Sequence, residues 1–141
     1  MATLYAAETA VLGTTPAGKL EGKNQGATTV MYAATVTLAT QTTSDTIVVA
    51  QVPENMRFAY GMLNSTVSLS TSTIAIGIAG STGKYRAAAV FTATQTPTPF
   101  GVTAATNGVT ATGGETIFIT IATASLPASG TLSVQLYFYK S

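Results

Sequence analysis

From residue 30 onward, apolar and polar residues alternate along most of the chain with the period of two that half-buried β-strands show. The clearest run is TIAIGIAG at 73–80, where Ile74, Ile76 and Ile78 share one face and small residues occupy the other. No sustained period of 3.6 residues competes with this pattern. The sequence therefore predicts an all-β protein of about eight strands, at 30–39, 46–52, 57–69, 73–80, 87–93, 101–106, 116–123 and 132–139.

The alternation also indicates which side chains face a core. The strand at 46–52 is apolar on nearly both faces, so we expect it to lie in the centre of a sheet. Phe58, Tyr60 and Met62 form a further apolar row, whereas Tyr137 and Tyr139 lie opposite the apolar face of the last strand. The predicted core includes Ile74, Ile76, Ile78, Ile117, Ile119, Ile121, Leu132, Val134, Leu136 and Phe138.

Turn-forming residues separate these strands. Turns are expected at 53–55, 80–83, 107–108 and 113–114, where Gly, Pro and Asn concentrate. Pro97 and Pro99 bracket a loop or edge segment, because proline cannot donate a hydrogen bond to a neighbouring strand. Short strands at roughly ten-residue spacing predict a single-domain antiparallel β-sandwich of the jelly-roll type at 30–141, with a small barrel as the alternative.

The first 29 residues lack strand alternation, and glycine and proline interrupt any regular element there. We expect an extended arm over 1–29 that becomes ordered by docking on a neighbouring protein, with a floppy terminus as the alternative. The candidate interface residues are those of the arm together with the two tyrosines of the last strand: Leu4, Tyr5, Val11, Leu12, Lys19, Leu20, Glu21, Lys23, Tyr137 and Tyr139.

Charge is scarce, since charged residues make up 8% of the chain and the formal net charge is +1. In ordinary soluble domains, roughly a quarter of the residues are charged. Such a surface supplies little mutual repulsion, which favours a chain that works inside an assembly, as a homo-oligomer or with partners. The six basic residues are scattered, which argues against nucleic acid binding. No uninterrupted run of roughly 18 apolar residues predicts a membrane helix, and Glu8 argues against a signal peptide.

Candidate chemistry is equally scarce. The chain has no histidine and no cysteine, which removes the usual zinc and copper ligands, and no acidic loop has calcium spacing. The five acidic residues are spread singly and are interpreted as solvated loop charges: Glu8, Glu21, Asp45, Glu54 and Glu115. GIAGSTGKY at 77–85 is interpreted as a glycine hairpin, because Tyr85 stands where a phosphate-binding loop needs Ser or Thr. We expect no catalytic, metal or cofactor site.

The segment DTIVVAQVPENMRFAYGMLNSTVSLSTSTIAIGIAGSTGKYRAAAVFTA at 45–93 resembles small virion proteins of tailed bacteriophages, commonly encoded near the major capsid protein. The resemblance implies a head decoration or cement protein, made in the host cytoplasm, that binds the major capsid protein on the outer head surface and stabilises the shell. A trimer is favoured, because a three-fold site on the capsid would suit one. The alternative is a tail- or fibre-associated sandwich that recognises host carbohydrate through Tyr137 and Tyr139.

Overall fold

The computed structural model describes residues 28–106 and 108–140 of the chain. This part contains no helix, which confirms the all-β prediction, and no segment of it could cross a membrane as a helix. Its eight strands are β1 (Thr29–Thr37), β2 (Thr46–Val52), β3 (Met56–Ser65), β4 (Thr73–Ile78), β5 (Ser81–Val90), β6 (Thr98–Phe100), β7 (Glu115–Ala122) and β8 (Thr131–Lys140).

The strands form two four-stranded antiparallel sheets. The first sheet has the order β1-β8-β3-β6, and the second has the order β2-β7-β4-β5. The chain therefore pairs β1 with β8, β2 with β7, β3 with β6 and β4 with β5, like one long hairpin rolled around a core. This arrangement is a jelly roll, so the predicted sandwich is confirmed in preference to a barrel.

The core lies between the two sheets, as the sequence predicted. Nine of the ten predicted core residues are buried, and the tenth, Ile78, is partly buried and packs against them. β7 and β8 follow the period of two without interruption, because their inward residues all fall on alternate positions. Phe58, Tyr85 and Phe138 form an aromatic cluster, in which the Phe58 ring centre lies 4.7 Å from that of Tyr85 and 5.4 Å from that of Phe138.

A β-bulge divides the apolar row expected along β3. The pairing of β3 with β8 shifts by one residue between Phe58 and Tyr60, so Ala59 is the extra residue. Phe58 consequently points into the core and is fully buried, while Tyr60 points outward and is 44% exposed. The prediction that Phe58, Tyr60 and Met62 share one face was therefore wrong.

β2 is an edge strand, and the prediction of a central position was also wrong. Its pairing with β7 shifts between Val48 and Ala50, which places both Val49 and Ala50 in the core. Val48 remains 58% exposed on the outside. The strand is apolar on both faces because it is bulged and not because two layers cover it.

Two further strand boundaries differ from the prediction. β5 begins at Ser81 and not at residue 87, because a two-residue turn at Ala79 and Gly80 already closes the β4–β5 hairpin, with Gly80 at φ 81°. The strand expected at 101–106 is instead a turn, in which the Ala105 N–H donates to the Val102 carbonyl. The neighbouring strand is β6, which confirms the edge segment expected around Pro99.

Candidate interaction surface

The outer face of the first sheet carries a row of large, exposed side chains. β8 lies between β1 and β3, and its Tyr137 is the pairing partner of Met31 on one side and Tyr60 on the other. The rings of Tyr60 and Tyr137 are stacked, with centres 4.6 Å apart and planes 12° apart. The Tyr137 hydroxyl donates a 3.0 Å hydrogen bond to Gln135 Oε1. Stacking and hydrogen bonding thus hold the pair in one orientation.

Adjacent rows extend this surface. Met62 pairs with Gln135 in the next row, and Tyr139 pairs with Arg57 in the row on the other side. We call Met31, Tyr60, Met62, Tyr137 and Tyr139 the aromatic face; Met31 is 49% exposed and Tyr60 is 44% exposed. Tyrosine and methionine are enriched at the cores of protein interfaces, where most charged residues are depleted. The surface can therefore bury apolar area at little cost in desolvated charge.

The structure brings together two of the ten predicted interface residues. Tyr137 and Tyr139 both lie half-buried on the aromatic face, on the side of β8 that the sequence pattern indicated. The other predicted interface residues fall outside the part of the chain that is described, so their contact role stays a prediction: Leu4, Tyr5, Val11, Leu12, Lys19, Leu20, Glu21 and Lys23.

Three residues of the aromatic face were missed from the sequence. Met31 lies in the strand predicted at 30–39, but the sequence of that strand alone gives no sign of a contact surface. Tyr60 and Met62 were predicted to share one face with Phe58, because the bulge at Ala59 has no signature in the alternation. The register between strands, rather than the sequence of any one strand, assembles the surface.

Apart from the aromatic face, a cluster of polar side chains lies inside the molecule, at the start of β7. The Glu115 carboxylate is buried and accepts hydrogen bonds from Lys84 Nζ at 2.8 and 2.7 Å, from the Tyr85 hydroxyl at 2.7 Å and from the Ala111 N–H at 2.7 Å. The interpretation of Glu115 as a solvated loop charge was wrong. β5 carries Lys84 and Tyr85 to this carboxylate, so the cluster joins β5 to β7 and to the loop before β7.

The electrostatics keep this cluster in one protonation state. Burial by itself would raise the pKa of Glu115, but the hydrogen bonds from Lys84, Tyr85 and Ala111 and the charge of Lys84 outweigh it and lower that pKa. Burial, together with the hydrogen bond to Glu115 and its charge, raises the pKa of Tyr85 far above its usual range. Glu115 is therefore ionised and Tyr85 neutral at physiological pH. In these states the hydrogen bond between them stabilises the contact of β5 with β7.

Arg86 stabilises the irregular pairing of the β4–β5 hairpin. Its guanidinium donates to the carbonyl oxygens of Ile74, Ala89 and Val90, where the register between the two strands shifts. Burial lowers the pKa of Arg86. Both cations of the GKYR stretch at 83–86 are thus engaged within the fold. Within residues 28–106 and 108–140, no three His, Cys, Asp or Glu side chains gather in a way that could hold a metal ion.

Fold and surface together define a jelly-roll protein with an aromatic outer face, and the same fold occurs in three phage capsid structures. A chain of the capsid asymmetric unit of cyanophage Pam1 is 21% identical, with a TM-score of 0.65, over 82% of this chain and 86% of that one. A chain of the capsid of Ralstonia phage GP4 is 15% identical, with a TM-score of 0.60, over 82% and 84%.

A chain of the acid-stable capsid of Helicobacter pylori bacteriophage KHP30 is 12% identical, with a TM-score of 0.56, over 80% of this chain and 89% of that one. At these identities the likeness is one of fold. No protein-family model and no curated protein matches the chain.

Proposed function

We propose that this chain is a structural protein of a phage virion, and more specifically a decoration or cement protein that binds the outer surface of the head and stabilises the shell. The observation that carries the proposal is the likeness of fold, over 80% or more of this chain, to chains of three phage capsid structures. Because one fold can serve many functions, the aromatic face is needed to argue how the chain would act.

The aromatic face supports a binding role on a large protein surface. It is built on hydrogen-bonded strands, and the stacking of Tyr60 on Tyr137 fixes these two rings before any partner arrives, which lowers the entropy lost on binding. Its tyrosine and methionine side chains supply apolar contact area of the kind enriched at the cores of protein interfaces. On this proposal the partner is the major capsid protein, and the aromatic face lies against it.

The interior chemistry supports a structural rather than an enzymatic role. The buried carboxylate of Glu115 already has four hydrogen bonds from three donor groups, and the Tyr85 hydroxyl is committed to it. A group that acts in catalysis needs free capacity to exchange a proton or to bind substrate. Glu115 instead fixes the end of the second sheet.

The proposal is tested by counting copies and by reconstitution. Quantitative mass spectrometry of purified particles should find the chain in hundreds of copies, in a fixed ratio to the major capsid protein. The purified full chain should also bind heads assembled without it and raise the temperature at which they release DNA. Absence from particles, or binding that leaves head stability unchanged, would contradict the decoration role.

A second candidate is a tail- or fibre-associated module that binds host carbohydrate. It is favoured by one observation, a cavity next to the stacked tyrosines, which it reaches through Gln135, the acceptor of the Tyr137 hydroxyl. The cavity is lined by Met62, Asn64, Pro97, Ser133 and Gln135. Aromatic rings beside amide and hydroxyl groups suit a sugar ring, which has apolar faces and polar edges. A few copies per particle, together with binding to host-derived polysaccharide, would support this candidate over the first.

A further inference from the structure

β1 is an edge strand without the features that normally protect an edge. All nine of its residues pair with β8 in an unbroken register from Thr29 to Thr37, and within the described part of the chain its other side has no partner strand. Its sequence, TVMYAATVT, contains no charge, no proline and no glycine. Such an edge offers a straight row of backbone N–H and C=O groups to another strand.

The other three edges of the sandwich are each interrupted. β2 contains a bulge between Val48 and Ala50, and β5 contains two register shifts and the charged residues Lys84 and Arg86. β6 is three residues long and carries Pro99 in its middle. Bulges, charges, proline and short length are the ways in which proteins prevent edge-to-edge pairing. β1 is the exception among the four.

Three of the six large hydrophobic side chains that are exposed in the described part of the chain lie on the same side of the molecule. Val30 is 40% exposed and Met31 is 49% exposed on β1, and Val48 is 58% exposed on β2, which is the corresponding edge of the other sheet. Val30 belongs to the inward row of β1 and is exposed because nothing in the described part of the chain lies beyond this edge. A strand added at β1 would cover it.

The two outer residue pairs of β1 are identical when the strand is read in either direction from Ala33, since Thr29 corresponds to Thr37 and Val30 to Val36. The two inner pairs differ, because Met31 corresponds to Thr35 and Tyr32 to Ala34. In an antiparallel pair centred on Ala33, opposite residues point to the same face, so inward side chains meet inward ones and outward side chains meet outward ones. No two charges meet anywhere along the strand. The edge is thus complementary to itself.

We propose that β1 pairs with β1 of a second copy about a two-fold axis at Ala33, which joins two first sheets into one continuous sheet of eight strands. The partner's Val36 then covers Val30, and the aromatic faces of both copies lie side by side on one surface. The proposal rests on β1 alone and does not depend on the capsid role. Its symmetry is two-fold, whereas the resemblance of the sequence favoured a trimer.

Disulfide cross-linking tests the register directly. The chain contains no cysteine, so a single introduced cysteine can form a disulfide only between copies. At the two-fold axis the two Cα atoms of residue 33 would be about 4.5–5.5 Å apart, within disulfide range. Ala33→Cys in the full chain should therefore give a covalent dimer on mild oxidation. Thr29→Cys alone should give little, but should cross-link when mixed with Thr37→Cys.

The matched control is Ala88→Cys, because Ala88 is an exposed alanine on a different edge strand. Cross-linking at Ala88 as fast as at Ala33, or at Thr29 alone as fast as at Ala33, would overturn the proposed register. The native chain should sediment as a dimer at high concentration. A monomer at every concentration, or a trimer held together by another surface, would overturn the proposal.

A charge exchange provides a second test that folding defects cannot imitate. Ala33→Lys and Ala33→Glu each place like charges opposite one another at the axis, which should raise the dissociation constant of the dimer about fivefold or more. Mixing the two variants should restore association, because unlike charges then meet. Failure of the mixture to associate better than either variant alone would contradict the pairing.

The alternative to a second copy at this edge is a segment of the same chain, residues 1–27. If the full chain is monomeric but a variant lacking residues 1–25 dimerises and cross-links at Ala33→Cys, the arm covers β1, and the two-copy pairing is wrong for the intact protein. If both forms dimerise with the same cross-linking pattern, the proposal holds.

Discussion

At the scale of single residues, Tyr60 is the side chain on which the proposed capsid contact can be tested most directly. It is exposed, it stacks on Tyr137, and it contributes nothing to the core. We expect Tyr60→Ser to leave unfolding nearly unchanged and to weaken binding to heads about tenfold, since aromatic residues at the centre of an interface often carry much of its affinity.

The control for Tyr60→Ser is Val90→Ser. Val90 is 51% exposed on the second sheet, so its substitution removes exposed apolar area from a surface that the proposal does not use. Binding should be measured for both variants against the same preparation of heads. Equal losses in the two variants, or no loss for Tyr60→Ser, would show that the aromatic face does not bind the head.

Glu115 links the stability of the fold to pH. Its pKa is lowered in the folded chain from a usual value of 4.5, so the folded state favours the ionised carboxylate more than the unfolded state does. The resulting stabilisation is fully present above the unfolded pKa and is lost as the pH falls through the folded pKa. Glu115→Gln should therefore be less stable at pH 7, by about 2–4 kcal/mol, because Lys84 loses its charged partner.

The measurement is urea unfolding of the native chain and of Glu115→Gln at pH 7 and at pH 3. The difference between them should shrink at pH 3, because this pH lies below the usual pKa of 4.5 and the carboxylate of the unfolded chain is then largely protonated. Glu54→Gln is the matched control, because Glu54 is exposed and accepts one hydrogen bond, from the Gly113 N–H. A difference for Glu115→Gln that stays constant between the two pH values would contradict the linkage.

The anchoring role of Glu115 could not be predicted from the sequence. Its partners Lys84 and Tyr85 are about thirty residues away, and β7 and β5 are not even neighbours in the second sheet, because β4 lies between them. Only the rolled topology brings the ends of these strands together. Spacing along a chain informs about contacts within a helix or hairpin, but not about contacts across a closed sandwich.

At the scale of secondary-structure elements, the tight approach of β4 and β5 depends on Gly77. A Cβ atom at this position would lie 2.3 Å from the Ser81 carbonyl oxygen and 2.5 Å from the Thr82 carbonyl carbon, both of which belong to the backbone. The backbone cannot move aside as a flexible side chain does. Gly77→Ala should therefore lower the free energy of unfolding by about 3 kcal/mol, or prevent folding altogether.

Gly101→Ala is the control for this substitution. A Cβ atom there would meet Phe58 at 3.5 Å, an ordinary van der Waals distance, and the position is exposed. Its free energy of unfolding in urea should change by less than about 1 kcal/mol. Equal stability of the two variants would show that the β4–β5 hairpin can open to admit a side chain at residue 77.

The elements that the sequence predicted well are those without irregularities. β7 and β8 are central strands with continuous alternation, so their inward residues could be assigned from the period of two alone. β2 and β3 each contain a bulge, and one extra residue exchanges the two faces beyond it. The errors in the position of β2 and in the side assigned to Tyr60 both follow from this. Val48 is consequently exposed on the second sheet and Tyr60 on the first.

At the scale of the whole molecule, the rolled topology separates a stable interior from surfaces that are available for contact. The two sheets bury their isoleucines, leucines and phenylalanines against each other, while the aromatic face and the β1 edge remain open. These two surfaces belong to the same sheet and are adjacent through Met31. A pair of copies joined at β1 would therefore present a doubled aromatic face to one partner, which strengthens attachment through two simultaneous contacts.

The sandwich should be stable without the first residues of the chain. The eight strands and the buried cluster that the structure describes form two packed sheets within residues 28–140, and β1 begins at Thr29. We therefore expect a variant lacking residues 1–25 to unfold cooperatively at nearly the same midpoint as the full chain. We also expect it to bind heads more weakly, because Leu4, Leu12 and Leu20 would no longer be able to add contact area far from the aromatic face.

Calorimetry of the truncated chain tests the expected stability, and measurement of its binding to heads tests the expected loss of affinity. Tyr60→Ser in the full chain is the comparison for binding, since it removes contact area from the sandwich and leaves residues 1–25 in place. If the arm and the aromatic face bind different parts of the head, combining the two changes should add their effects on the free energy of binding. A truncated chain that loses its fold would show that residues 1–25 complete the core, and unchanged binding would show that they do not contact the head.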